Sequence, residues 1–234
     1  MSAAVPPAWP RTRAELEAAQ ATLALAIPAP WRWEGGPLRV AGCALVAGRG
    51  RPGGEGEDGF AAAALVEVGS GAPRVLAYGD ASGPLGAGFE SGMLALREGP
   101  LLAAAVVGLP ARPEILMVHA AGRDHPRGAG LALMLGAALD VPSIGVTARP
   151  LVASGSPPQE RAGARAPLTR GGEEVAYWLR TRAGVRPIVA HAAWRTTAVV
   201  AVEVVLAATR GTRFPEPLRR AVERARALRD GRVG

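Results

Sequence analysis

Few side chains in this sequence can do acid–base or metal chemistry: three histidines, one cysteine and scattered carboxylates. Two of the histidines, His119 and His125, fall in one stretch, ILMVHAAGRDHPR, at residues 115–127. Histidine titrates nearest neutrality and is the commonest ligand of transition metals, so this stretch is where proton transfer or metal binding is first sought. The apolar run 115–118 has no polar alternation, as in a strand covered on both faces. His119 is its last residue before a turn through Ala120, Ala121 and Gly122, and His125-Pro126 opens a Gly/Ala/Leu-rich segment whose first turn tolerates proline. In an open α/β sheet, ligands sit in the crevice beyond the carboxyl end of such a strand. Glu98 stands at a predicted loop-to-helix junction. Cys43 has no partner in the sequence, which excludes an intrachain disulfide and a cysteine metal cluster and makes a reducing interior the default.

The elements around these residues are those of an α/β protein. The chain has 234 residues, 49% of them hydrophobic, and no self-similar period, which fits one domain with irregular ends. All 27 basic residues are arginine; the net charge of +7 permits an anionic partner, although an Arg/Ala/Gly/Pro-heavy composition also follows from GC-rich coding. No signal-like segment and no run of about 18 apolar residues is present, so a soluble, cytoplasmic protein without membrane contact is expected. Residues 14–27 carry Leu16, Ala19, Leu23 and Ile27 at helical spacing, with Trp31 and Trp33 expected to pack near the end of that helix. Strands are expected at 38–47, 60–68 and 73–79, forming an antiparallel meander with a flexible tip at 48–59. An apolar helix at 101–109, a β-α-β unit over 115–146, a surface loop at 150–167, a hairpin over 174–191, a buried helix at 196–208 and an arginine-striped helix at 218–229 complete the reading.

From residue 37 to 217 this order of elements and several local motifs resemble the endonuclease V family, metal-dependent nucleases with a ribonuclease H-like fold that cut DNA or RNA near deaminated purines such as inosine. The matching motifs are Leu96-Arg97-Glu98, His125-Pro126-Arg127, the run LDVPSIGV at 139–146, Gly172-Glu173 and Pro215-Glu216-Pro217. The resemblance implies a central mixed sheet, an antiparallel three-strand meander plus parallel strands, with helices on both faces. It also implies a segmentation into a lead and helix at 1–36, the family domain at 37–217 and a terminal helix at 218–234.

Family catalysis rests on carboxylates that hold divalent cations, and here the motif positions diverge. The first-strand aspartate position is Ala44, in Ala41-Gly42-Cys43-Ala44; the Arg-Glu glutamate is retained as Glu98; the third aspartate position is His119. His125 persists, the family lysine falls on Ala148 beside Arg149, the late histidine reads Trp194 beside Arg195, and the strand-separating wedge keeps only the aromatic Phe89, followed by Glu90. Mg²⁺ relies on few protein carboxylates, so loss of two removes the basis of its site, while histidine at 119 shifts preference toward Zn²⁺ or another transition metal. The expectation is a degenerated nuclease centre in a non-cleaving binder of single-stranded or deaminated DNA or RNA, or of a protein partner, through Phe89, Arg127, Arg149, Trp194 and Arg195. Two alternatives stay open: altered chemistry on Glu98, His119 and His125, with Glu98 and His119 as metal ligands, and weak residual cleavage at inosine in DNA repair. The resemblance also sets Glu98 opposite His119, so that His119 filling space with a hydrogen bond to Glu98 is the structural alternative. Next to Ala44 on a strand, Cys43 is expected to face the other way as a buried thiol, and His191 to lie in core or surface.

Overall fold

The computed structural model describes residues 9–49, 53, 54, 56–69 and 71–233. Residues 50–52 and 55 of the tip expected between β1 and β2, and the first eight residues of the proline-bearing lead, lie outside that set. Helix α1 (Arg13–Leu25) precedes a meander of β1 (Leu38–Ala47), β2 (Asp58–Val68) and β3 (Arg74–Pro84). Helix α2 (Leu94–Val107), β4 (Ile115–Val118), α3 (Leu131–Leu139) and β5 (Ser143–Thr147) follow. The chain ends with β6 (Arg165–Arg170), β7 (Glu173–Leu179), β8 (Ile188–Ala192), α4 (Ala198–Ala207) and α5 (Glu216–Arg229).

All eight strands join one sheet in the order β3-β2-β1-β4-β5-β8-β7-β6. β1, β4 and β5 run parallel, and the remaining neighbours pair antiparallel, which is the mixed sheet with a three-strand meander that was expected. Alternation along β1 divides the core: Ala41 and Cys43 face a layer built with α2 and α3, while Val40 and Ala44 face a layer built with α4 and α5. Small residues allow these layers to come close. Ala61 to Ala64 on β2 are fully buried, and a Cβ on Gly42 would lie 2.2 Å from the backbone of Pro217, at the start of α5.

Four expectations need correction. The helix foreseen at 101–109 begins at Leu94, so Glu98 lies inside α2 and not at its entrance. Pro100 lies inside this helix, which tolerates it where the Gly86 N–H bonds the carbonyl of Arg97 (3.1 Å) beside the interruption. The surface loop foreseen over 150–167 ends early, because β6 pairs with β7 despite Pro167 on this edge strand. Trp31 and Trp33 pack into the α4/α5 layer and not on α1, since the chain after α1 is drawn across by the Trp31 N–H bond to Arg195 O (2.7 Å). Ile27, placed on the buried stripe of α1, is 96% exposed because the helix stops at Leu25.

The close approach at Gly42 predicts that Gly42→Ala forces α5 off the sheet. A loss of at least about 2 kcal/mol is expected from this overpacking, read as a lower urea midpoint with an unchanged slope; a variant as stable as the parent would refute the contact.

Candidate functional site

The parallel pairing of β1 and β4 sets their carboxyl ends side by side. The His119 N–H donates to Cys43 O (3.1 Å), continuing the ladder one residue past β4 and bringing His119 next to Ala44. Ala44 is only 1% exposed and belongs to the same apolar cluster as Leu218 and Ala221 of α5. His119 is open to solvent, but its ring meets Phe214 edge-on with centroids 5.8 Å apart. Crowding by apolar walls pushes its pKa below the ordinary histidine value.

Two cavities share His119 as a wall. One, of about 290 Å³, lies under α5 and is completed by Phe214, Leu218, Arg219, Val222, Glu223 and Arg226. The other, of about 230 Å³, is a groove whose walls include Phe89, Leu94, His125, Thr147 and Arg149. Phe89 stands 70% exposed at this groove. Arg149 is exposed there, and its guanidinium has no ion-pair or hydrogen-bond partner among the described residues. Glu98 lines neither cavity and makes no hydrogen bond to His119; burial pushes its pKa up to about 7, against the opposing pull of Arg97. Among the described residues, no group of three or more His, Cys, Asp or Glu side chains is placed to hold a metal ion.

His125 and Arg127 are tied into the fold. His125 is 4% exposed; its Nε2 lies 3.2 Å from Gly92 O and its Nδ1 accepts from the Arg127 N–H (3.2 Å). Burial and the nearby Arg127 charge push its pKa down to about 4, so it is neutral and donates from Nε2. The Arg127 guanidinium bonds Gln20 Oε1 (2.6 Å) and Gly92 O (2.8 Å), fastening α1 and the turn before α2 to this loop. The helix expected from Gly128, opened by His125-Pro126, starts three residues later, at Leu131, because Gly128 takes a positive φ.

Trp194 and Arg195 lie elsewhere. Trp194 packs against the core near Gly136, its backbone tied to Ser143, with the indole N–H buried and unpartnered. Arg195 bonds Ala29 O and lines a separate surface hollow with residues of the chain after α1. Of the five residues expected to contact nucleic acid, then, Phe89 and Arg149 share the groove, Arg127 braces it from behind, and Trp194 and Arg195 face away. The α5 arginines are mostly engaged: Arg219 and Arg220 with Glu216 and Glu223, and Arg224 with Asp80. Cys43 is fully buried on the face opposite Ala44, and burial pushes its thiol up to about 12.

Sequence reading missed two features of this region. One is the wall that α5 supplies beside His119; its only signal was the Leu218/Val222 spacing within an arginine-rich helix. The other is Asp124, fully buried, whose carboxylate accepts the N–H groups of Leu151 (2.8 Å), Val152 (2.8 Å) and Ala153 (2.7 Å) and lies 3.6 Å from the buried His191. Nothing local in the sequence connects those positions. Burial pushes His191 down to about 4, with Asp124 opposing the shift.

The single mixed sheet, with parallel β1-β4-β5 flanked by the meander and covered by helices on both faces, defines a ribonuclease H-like α/β protein. Similarity to known proteins bears on the particular family. The family model described as Endonuclease V matches residues 41–223. An endonuclease V from Streptomyces coelicolor is 35% identical over 98% of this chain and 97% of its own length. The crystal structure of endonuclease V from Streptomyces avermitilis superposes with a TM-score of 0.83 at 32% identity, covering 100% of both chains. A Ciona intestinalis endonuclease V, solved with a 24mer DNA containing an inosine followed by a ribo-adenosine, shares the fold at 20% identity, with a TM-score of 0.71 and coverage of 94% and 98%. This chain belongs to the endonuclease V family. No helix among the described residues is long and apolar enough to cross a membrane.

The histidine environments predict a pH dependence. His125 and His191 fold with pKa values of about 4 against an ordinary 6.5, and His119 shifts the same way, so the unfolded chain binds more protons at all three as pH falls below 6.5. Glu98, held at about 7 against 4.5, acts in the opposite sense but is one group against three. Unfolding free energy is therefore expected to decline from pH 6.5 toward pH 4; a urea series that shows greater stability at the acid end would contradict these environments.

Proposed function

We propose that this protein binds nucleic acid through the inherited groove and does not cut it, its divalent-metal centre having been replaced by apolar packing. The observation that carries this reading is Ala44: where the family resemblance expects a carboxylate ligand, a methyl group sits 1% exposed in the cluster under α5. A pair of Mg²⁺ ions needs carboxylate oxygens at octahedral spacing. Ala44 offers no donor, the His119 ring lies edge-on to Phe214, and Glu98 is off the walls of both cavities. This donor set does not fit the ions.

Support for nucleic acid comes from the inosine-containing DNA held by the Ciona relative, from the net charge of +7, and from Phe89 and Arg149 at one groove. An exposed aromatic beside a free cation suits stacking on a base with a neighbouring phosphate contact. Transition-metal chemistry on Glu98, His119 and His125 has less support, because both ring nitrogens of His125 are engaged by Gly92 and Arg127. Residual cleavage in DNA repair draws on the full-length likeness to proteins named endonuclease V. It is separated from the first reading by the double variant Ala44→Asp/His119→Asp: a rise in activity favours a surviving nuclease.

An inosine-bearing single strand is expected to shift in a gel, more weakly as salt rises, and to remain intact in Mg²⁺ or Mn²⁺. Phe89→Ala is expected to weaken binding by about 1–3 kcal/mol, and Arg149→Ala to lower the salt slope by about one. Turnover of the strand to nicked product by the purified protein would overturn the proposal.

A further inference from the structure

At the end of β5, Thr147 lines the groove, and behind it lies a chain of polar groups that the nuclease reading does not use. The Thr147 hydroxyl is 2.7 Å from Nε2 of His191, and Nδ1 of His191 is 3.6 Å from Oδ2 of Asp124. His191 and Asp124 are both 0% exposed, and Nδ1 has no hydrogen-bond partner among the described residues. Asp124 is fixed from the far side by three backbone N–H groups of the segment 151–153. β5 and β8 pair antiparallel, with Gly145 opposite His191, which is how the imidazole reaches the neighbouring strand's terminal hydroxyl.

The tautomer follows from the charge. A carboxylate presents lone pairs only, so a bare Nδ1 would set lone pair against lone pair across 3.6 Å in a water-free space. Nδ1 therefore carries the proton and Nε2 faces Thr147 as a bare lone pair. The hydroxyl proton of Thr147 then has two acceptors, Nε2 and the carbonyl of Arg149 at 2.6 Å. Directed at Nε2, it completes the order carboxylate, imidazole, hydroxyl that activates an alcohol for attack on an acyl carbon.

We propose that Thr147 is a nucleophile, with His191 as its general base and Asp124 as the positioning residue, and that the groove hydrolyses small carboxylic esters with an apolar acyl group. The cavity of about 230 Å³ takes only a small group, and Leu94, Ala95, Ala120, Leu131 and Leu151 give it an apolar wall. Arg149 contributes a free positive charge to the same wall, suited to the oxygen that becomes negative during attack. In the first step Thr147 Oγ bonds to the ester carbonyl carbon and its proton passes to His191 Nε2. The bond to the alkoxy oxygen then breaks, and that oxygen takes the proton and leaves as the alcohol. Water next attacks the acyl-Thr147 carbon, giving a proton to Nε2. Collapse frees the carboxylic acid and returns the proton to Thr147 Oγ. The inference stands whether or not the groove holds nucleic acid.

The test uses the full chain with p-nitrophenyl butyrate as substrate and a fluorophosphonate as a covalent probe. Hydrolysis is expected, with a single adduct that peptide mapping places on Thr147. Thr147→Val is expected to lose at least about 100-fold in rate and all labelling, while Thr147→Ser, which keeps the hydroxyl, retains both. Asp124→Asn is expected to lower kcat by about 100-fold or more with little change in KM, since an amide facing Nδ1 favours the wrong tautomer; Thr147→Ser carries the test if that variant does not fold. No adduct, an adduct on another residue, or a Thr147→Val protein as active as its parent would each overturn the proposal.

Discussion

The descent of α5 onto β1 at Gly42 is the contact on which the rest of the site depends. With no side chain at this position, the Pro217 backbone reaches the strand, and a Cβ there would be 2.2 Å away. That approach brings Leu218 and Ala221 over Ala44 and sets Val222 and Glu223 beside His119. At the carboxyl end of β1, the edge where a parallel sheet offers its ligand crevice, Ala44 is thereby covered by apolar groups, while His119 beside it opens onto the cavity under α5.

Beyond that seal, the polar groups fall into two sets with different physical status. His125, Arg127 and Gln20 spend their hydrogen bonds on one another and on backbone carbonyls, so they hold α1, the Gly92 turn and the loop before α3 in register. Asp124, His191 and Thr147 form a line that runs from a loop anchor to the groove, and one ring nitrogen in it has no full hydrogen bond. Buried polar groups are ordinarily satisfied, and an exception one residue behind the wall of a cavity, which Thr147 lines, marks a place where chemistry is sought.

Similarity across the full chain fixes the family. Family and fold describe the scaffold; activity resides in the side chains set on it. Here the scaffold is built through the small residues of β1 and β2 and the parallel β1-β4-β5 core.

The sequence by itself determined the class of fold, the meander, the parallel β-α-β unit and the buried α4, because hydrophobic periodicity and glycine punctuation are local signals. Through the resemblance it also set Ala44 and His119 at motif positions where carboxylates are expected. It misplaced the start of α2, which runs through Pro100, and missed β6, whose edge position accommodates Pro167. Only the tertiary structure decided that Trp194 and Arg195 leave the groove, that Glu98 does not meet His119, and that Asp124 meets His191 across 67 positions of sequence. Those outcomes depend on strand register and on which face of a neighbouring element a side chain meets, and the physical reason they stay hidden is that long-range pairing leaves no periodic trace in the chain.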